Sequence, residues 1–317
     1  MTKTKSKITD FINDITCKLP NTLIKLDEPI KEYTTFKVGG FVSVMVFPDS
    51  TACLEDICKI LDEHEIVPLV IGNGSNILAD DSHLDIVVVN TSKLKGISVV
   101  DDEDSTSNEY CYIEVEAGAL LSDIAVFACD KGLTGFEFAH GIPGTVGGAV
   151  VMNAGAYGGE MKDVVYSTTA YNSEGGKYTL TAADNEFSYR KSRFSDIDDI
   201  IFSAVIRLKK GDKNAIKNTM DELSTRRRES QPLEFPSGGS TFKRPKENCY
   251  AASLIEQAGL RGFAIGDAQV SKKHTGFIIN KGNATFTDII TVIEHVQDTV
   301  FKQSGIRLVP EIKIIRR

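Results

Sequence analysis

Residues 140–160 read His-Gly-Ile-Pro-Gly-Thr-Val-Gly-Gly-Ala-Val-Val-Met-Asn-Ala-Gly-Ala-Tyr-Gly-Gly-Glu. Seven of the chain's 26 glycines fall here, a density no other segment reaches. Glycine weakens helices and strands alike, so such a run costs stability. In return it permits backbone with φ > 0 and lets main chain approach a ligand too closely for a Cβ. Gly141, Gly144, Gly147 and Gly148 within eight residues predict a loop whose successive N–H groups cradle phosphate, and hence a phosphate-bearing cofactor. The plainer reading is a series of tight turns at a domain corner.

A second cluster lies upstream. The apolar run 67–71 opens directly into Gly72-Asn73-Gly74-Ser75-Asn76, placing backbone donors and small polar side chains at a strand's carboxyl end, where α/β folds bind ligands. The pattern is not GxGxxG and no Rossmann helix follows, since Ile77-Leu78-Ala79-Asp80 runs on to another strand at 86–89. Alone it fits an ordinary glycine turn better; beside the 140–160 run it strengthens the phosphate reading.

Working outward, 317 residues exceed what one core usually holds, so two or three domains are expected. A net charge of −8 argues against a nucleic-acid surface or an anionic-membrane patch as the main business, while leaving room for a local basic pocket. No apolar run approaches the roughly 18 residues needed to span a bilayer, and residues 1–7 have no apolar segment behind them that would make a secretory signal. Cys17, Cys53, Cys58, Cys111, Cys129 and Cys249 form no CxxC pair, which points to free thiols in a reducing, cytoplasmic compartment. The five histidines are equally dispersed, and no metal site is expected.

In chain order, residues 1–20 predict a short amphipathic helix with Ile8, Phe11, Ile12 and Ile15 on one face. A strand at 42–47 leads through Ser50, a predicted N-cap, into a helix over 51–63. Strands are expected at 96–100 and 110–116, with the acidic segment 101–109 as an exposed hairpin loop between them. A helix of about a dozen residues follows Gly118 and stops before Gly132. Beyond the central glycine run, a hairpin over 164–181 and a strand over 200–209 precede a linker at 210–213. The remainder reads as a helix over 213–229 ending in three arginines, a loop over 232–245, a helix near 250–258, strands near 263–270 and 276–279, a helix over 287–303 capped by Thr287 with Ile290, Ile293, Val296, Val300 and Phe301 facing the core, and a closing strand containing Pro310-Glu311.

Six segments in this order, Gly72–Leu78, Gly141–Tyr157, Ser188–Ser192, Gly239–Lys243, Ser253–Gly259 and Leu308–Glu311, resemble the UDP-N-acetylenolpyruvoylglucosamine reductase (MurB) family, flavoenzymes of bacterial peptidoglycan precursor synthesis. The resemblance runs from about residue 33 to the C-terminus. It implies an α+β architecture: an FAD-binding fold of the vanillyl-alcohol oxidase / p-cresol methylhydroxylase type, with two subdomains split near 95–100 and the flavin between them, plus a C-terminal α+β substrate domain. The corresponding ranges are 1–32 for an N-terminal helical extension, 33–211 for the FAD domain and 212–317 for the substrate domain. Only 191–200 separates Tyr189-Arg190 from the next strand, which leaves no room for the tyrosine-bearing insertion of the larger family type and resembles the smaller type II form.

The same resemblance implies non-covalent FAD held by Gly72, Asn73, Gly74, Ser75, Asn76, Gly118, Gly141, Ile142, Pro143, Gly144, Thr145, Gly147 and Gly148, with NADPH as hydride donor. It implies reduction of UDP-N-acetylglucosamine-enolpyruvate to UDP-N-acetylmuramate: hydride passes to C3 of the enolpyruvyl ether, and the C2 carbanion or enol is then protonated. Arg190, Ser240 and Glu311 match the family's catalytic positions. Arg190 presents a fixed fork of donors to the substrate carboxylate. Glu311 polarises that carboxylate from the other side in its protonated form, which a desolvated site favours. Ser240 donates the proton to C2, with water or Lys243 stabilising the alkoxide. Read without the family, these three are a surface ion pair, an edge-strand charge and a turn residue.

Tyr157, Arg228, Gln231 and Lys243 are the implied contacts to the UDP-sugar. Gly238 and Arg244 stand where the family more commonly has alanine and asparagine, which weakens any carry-over of the asparagine's nucleotide contact. No nucleic-acid or membrane partner is expected, and a monomer is. Two other readings stay open: another FAD-dependent oxidoreductase on the same scaffold, and a non-catalytic nucleotide-sugar-binding protein. The first leaves Ser240 and Glu311 unexplained, and the second leaves the intact trio unexplained. Turnover separates them from the family reading.

Overall fold

Ser50 begins a helix because its side chain does what its sequence position allows: Oγ accepts the Cys53 amide at 3.2 Å, and the helix runs Thr51–Glu63. Local signals of this kind account for much of the computed structural model, which describes residues 3–100 and 109–316. Residues 101–108 of the acidic loop expected at 101–109 lie outside the described residues, as do residues 1, 2 and 317. The chain forms two compact units, each discontinuous in sequence, where the reading above expected continuous ranges. The first comprises Met1–Leu26, Val44–Asn73 and Ile86–Arg226; the second comprises Asp27–Ser43, Gly74–Asp85 and Arg227–Arg317.

The first unit is built on an antiparallel sheet in the order Gly176–Thr181, Val165–Asn172, Ile200–Lys210, Tyr110–Glu116, Ile97–Val100, with Leu133–Thr134 also pairing on Ile200–Lys210. Alternation sets its inner face: Ile113 and Val115 are buried while Glu114 between them is exposed. Over that face lie the helices Leu121–Asp130, Val146–Val151 and Lys213–Ser230, the last contributing Ile216 and Met220 to the same core. A second core gathers Ile8, Phe11 and Ile15 of the Lys3–Lys18 helix, the apolar face of Thr51–Glu63, and Val87 and Val89. Leu69–Ile71 pairs in parallel with Leu84–Asn90, Leu69 standing opposite Val88.

The second unit has an antiparallel sheet in the order Ser237–Ser240, Phe277–Asn280, Ala268–Val270, Ala264–Ile265, packed with the helices Ala251–Gln257 and Phe286–Ser304. Lys313–Ile315 pairs in parallel with Ile77–Ala79. The α+β class holds. No described helix is long and apolar enough to cross a membrane.

Several expectations are corrected. The segment 1–32 is not wholly helical, because Leu23–Pro29 is a strand. The loop expected at 232–245 contains the strand Ser237–Ser240. The long helix is capped by Thr285, not Thr287: Thr285 Oγ1 accepts the Asp288 amide at 3.1 Å and Asp288 Oδ2 accepts the Thr285 amide at 2.9 Å. Its inner face accordingly shifts to Phe286, Ile289, Val292, Ile293, Val296 and Val300; Ile290 packs only partly buried, and Phe301 is 48% exposed. Pro310-Glu311 precede the closing strand rather than lying in it.

Candidate active site

In the first unit the two glycine clusters meet. Asn73 Nδ2 donates to the Pro143 carbonyl at 2.7 Å, and a Cβ on Gly72 would stand 2.0 Å from Thr145 Oγ1, so only glycine lets this strand end lie against Thr145. The central run is less open than its sequence implies. The Ile142, Val146 and Gly147 amides donate to the carbonyls of Ala139, Ala119 and Ala117 at 2.9, 3.0 and 2.9 Å, and 146–151 is a short helix. The amides of Gly141, Gly144, Thr145 and Gly148 make no backbone hydrogen bond among the described residues.

The glycines divide by what surrounds them. A Cβ on Gly118 would stand 1.8 Å from the Thr91 carbonyl oxygen, and one on Gly147 would stand 3.2 Å from the Ala117 Cβ, so both serve close approach of main chain. Gly148 is exposed and its nearest neighbour would be Thr145 Oγ1 at 4.0 Å, which leaves open space for a ligand. Loop amides without backbone partners, small exposed residues and no carboxylate in 72–76 or 141–148 fit a cofactor diphosphate.

Downstream, Gly155–Ala156 and Gly159–Glu160 form a tight hairpin whose corners, Tyr157 (φ 53°) and Gly158 (φ 92°), both adopt left-handed backbone. The Arg226 guanidinium lies 5.2 Å from the centre of the Tyr157 ring. Arg190 occupies the corner of another turn, with φ 54°, closed by Ser188 N to Lys191 O at 2.9 Å and Lys191 N to Ser188 O at 3.2 Å. Its Nη2 donates to the Gly155 carbonyl at 3.0 Å, and its guanidinium lies 5.2 Å from the Tyr189 ring centre.

What ties these turns together is Asn153, which is fully buried. Its Nδ2 donates to Ser188 O and Glu160 Oε2, both at 2.9 Å, and its Oδ1 accepts the Lys162 amide at 2.9 Å. Burial raises the Glu160 carboxyl, but hydrogen bonds from Lys162 and Asn153, with the charges of Lys162 and Arg190, hold it below its usual range. Ser192 Oγ adds a bond to Val151 O at 2.9 Å.

In the second unit, Ser237 stands opposite Ile279 and Ser240 opposite Phe277, so Gly238 and Gly239 face the single residue Ile278. This is a β-bulge, with Gly239 at φ 79°, the kind of irregularity that re-aims a side chain. A Cβ on Gly238 would come within 2.8 Å of the buried Phe36 ring, which accounts for glycine here in place of alanine. Past the bulge, Ser240 is exposed. Thr241 N donates to Gly276 O at 2.9 Å, and Thr241 Oγ1 accepts the Ile278 amide at 3.0 Å. Residues 241–243 then run antiparallel to 309–311: Phe242 bridges Pro310, Lys243 N donates to Val309 O at 2.8 Å, and Glu311 N donates to Thr241 O at 2.8 Å.

Asn76 clamps the Glu311 main chain, Nδ2 donating to Glu311 O at 3.1 Å while Asn76 O accepts the Lys313 amide at 2.8 Å. A Cβ on Gly74 would stand 2.1 Å from the Tyr33 carbonyl oxygen, so this glycine also serves packing; Ser75 is half-buried beside it. Glu311 and Lys243 are half-buried and Arg228 is exposed, its carbonyl accepting Lys273 Nζ at 2.6 Å. Gln231 Oε1 is buried without a hydrogen-bond partner among the described residues, an acceptor available to a ligand.

Residues 42–181 match the family model for an FAD binding domain, and residues 231–315 match that for the UDP-N-acetylenolpyruvoylglucosamine reductase C-terminal domain. The UDP-N-acetylenolpyruvoylglucosamine reductase of Agathobacter rectalis is 45% identical over 309 residues, which is 96% of this chain and 98% of the relative. The chain belongs to the UDP-N-acetylenolpyruvoylglucosamine reductase family. The reductase of Caldanaerobacter subterraneus subsp. tengcongensis is 47% identical over 290 residues, 92% of this chain and 93% of that one. The crystal structure of the Thermus caldophilus reductase (MurB) is similar with a TM-score of 0.75 at 30% identity, covering 93% of this chain and 99% of its own.

Set in this reductase family, sequence reasoning missed Asn153, Arg226 and the buried Asn280, whose Oδ1 accepts the Gly282 and Ala284 amides at 2.8 and 3.0 Å behind the Ser240 strand. Asn153 was detectable in principle. It sits among glycines, and asparagine is the residue other than glycine that best tolerates φ > 0.

Proposed function

We propose that the chain reduces UDP-N-acetylglucosamine-enolpyruvate to UDP-N-acetylmuramate at the expense of NADPH, in the cytoplasm and as a monomer, for bacterial peptidoglycan precursor synthesis. Residues 33–211 form the cofactor domain in this reading, 212–317 the substrate domain, and 1–32 an N-terminal extension. The observation that carries it is the pairing of the Ser240 segment with the Glu311 segment in a chain of this family.

FAD, when bound, supplies hydride carriage between NADPH and C3 of the enolpyruvyl group. Its diphosphate is held by the amides of Gly141, Gly144, Thr145 and Gly148, with Gly72, Asn73, Ile142 and Pro143 completing the wall. Gly118 and Gly147 act by letting main chain pack closely beside that loop, while Gly74 and Asn76 hold the Tyr33 and Glu311 segments of the second unit. Arg190 binds the substrate carboxylate and withstands the negative charge that builds there. Protonated Glu311 donates a hydrogen bond to the same carboxylate. The Ser240 hydroxyl gives its proton to C2, and Lys243 or water stabilises the alkoxide left behind. Gln231, Arg228 and Tyr157 contact the UDP-sugar.

The test is a visible spectrum of the purified protein, followed by NADPH absorbance with and without the enolpyruvyl substrate. A yellow protein that consumes NADPH only with that substrate supports the reading. A yellow protein indifferent to it moves the assignment to another flavin oxidoreductase, and a colourless protein that takes up no FAD sinks it.

A further inference from the structure

We infer that His274 is a positioning residue for Ser240, its neutral ring fixing the turn from which the Ser240 strand is suspended; this rests on the proton-donor role proposed for Ser240. The turn 271–276 joins the strand Ala268–Val270 to the strand Phe277–Asn280. Ser240 stands opposite Phe277, and the next residue, Thr241, donates its amide to Gly276 O at 2.9 Å. Gly276 in turn donates its own amide to His274 Nδ1 at 3.2 Å. The single residue Gly276 therefore meets the ring through its amide and the Ser240 strand through its carbonyl.

Three further features hold the ring there. Buried Ser271 accepts the Lys273 and His274 amides on its Oγ at 3.1 and 3.2 Å. The ring meets Phe277 edge-on at 5.0 Å between centres. A Cβ on Gly276 would stand 3.0 Å from His274 Cε1, so glycine is what lets the ring reach the amide.

An Nδ1 that accepts an N–H carries no proton, so the hydrogen sits on Nε2. Protonation would set two N–H groups against each other and release Gly276. Burial holds the His274 pKa below its ordinary 6.5; its backbone hydrogen bond works the other way, and the charge of Arg261 adds to the lowering. Arg261 is itself paired with Glu256 at 2.7 Å and donates to the Lys272 carbonyl; Lys272 and Lys273 lie in the same turn, and Lys273 Nζ donates to the Arg228 carbonyl at 2.6 Å. The neutral ring thus persists through neutral pH, and the latch opens in acid.

The experiment compares the flavin-loaded wild type with His274→Ala and His274→Asn across pH. Asparagine places an acceptor near the Nδ1 position but cannot titrate. His274→Ala is expected to lower kcat on the enolpyruvyl substrate by about a hundredfold while leaving flavin reduction by NADPH unchanged. His274→Asn is expected to restore most of that turnover and to abolish the acid limb below the histidine range. A His274→Ala variant that turns over like wild type, or an asparagine variant as impaired as alanine, overturns the inference.

A second readout needs no turnover. On the intact wild-type chain, the Gly276 and Thr241 amides are expected to lose protection, read as deuterium exchange relative to the intrinsic rate at each pH, as the His274 ring protonates by NMR, and unaltered protection through that titration also overturns it. If the wild type proves inactive on the substrate, the functional reading fails while this amide measurement still decides the structural claim. The same measurement decides it if the alanine variant does not fold.

Discussion

Glu311 donates its backbone amide to the Thr241 carbonyl at 2.8 Å, so the Glu311 and Ser240 side chains project from neighbouring, hydrogen-bonded segments offset by one residue. Neither side chain is needed for this pairing, which is made by main chain. Ser240→Ala is therefore expected to change stability by no more than about 0.5 kcal/mol, as exposed substitutions do, while lowering kcat by roughly 10²–10⁴-fold. Since the proton moves only in the transition state, KM should hardly shift. Single-turnover kinetics on the enolpyruvyl substrate check this; wild-type product formation by the alanine variant would remove Ser240 from the mechanism.

Asn153 carries the Arg190 turn. Truncation to alanine removes the hydrogen bonds to the Ser188 carbonyl, the Glu160 carboxylate and the Lys162 amide, each contributing about 0.5–1.5 kcal/mol. Asn153→Ala should lower Tm and also depress kcat/KM by displacing Arg190. If the kinetic loss passes through Arg190, Asn153→Ala and Arg190→Ala together will lose much less than the sum of the two alone. Strict additivity in that cycle would separate the two residues.

How far the sequence could be read follows the range of each interaction. Ser50 and the hairpin over 165–181 act within a few residues, and each was recognisable locally; the glycine clusters were recognisable by composition, though their partners lie far along the chain. Ser237–Ser240 was not: it is four residues long, two of them glycine, and becomes a strand only because Phe277–Asn280 lies beside it. The roles of Asn153 and Asn76 rest on partners up to 35 and 235 residues away, beyond any local pattern. The Thr287 cap is a different kind of miss. Thr285-x-x-Asp288 was present as a capping box two residues upstream; Phe301 is a separate miss, since the spacing of Ile289, Val292, Ile293, Val296 and Val300 sets the core face whichever threonine caps the helix.

The glycines supply a graded test of cofactor against fold. Gly148→Ala puts a methyl where only open space is found, in a helix that favours alanine over glycine by about 1 kcal/mol, so Tm should hold or rise. If the Gly148 backbone faces the cofactor diphosphate, the same methyl should weaken FAD retention. Gly118→Ala drives its methyl into the Thr91 carbonyl and should cost stability first, with cofactor lost only as a consequence. Gly72→Ala, forced against Thr145, should lower both. Melting curves with FAD titrations on all three variants decide the matter; normal FAD affinity in Gly148→Ala would take that residue out of the cofactor site.

Glu160 sets an acid boundary on the Arg190 region. Burial alone would raise its carboxyl, yet Lys162, Asn153 and Arg190 together hold it below the ordinary 4.5. A carboxyl whose folded pKa is depressed binds fewer protons in the native than in the unfolded state, so its contribution to stability is present above the ordinary value. That contribution drains away as pH falls below 4.5 and through the lower folded value. Wild-type Tm should therefore drop across this window more steeply than that of Glu160→Gln, which keeps an acceptor for Asn153 but cannot titrate. Wild type and Glu160→Gln should also diverge in Tm above pH 5, where ionised Glu160 is paired with Lys162 at 2.8 Å. Parallel Tm profiles from pH 3 to 6 would show that the Glu160 cluster contributes nothing to acid sensitivity.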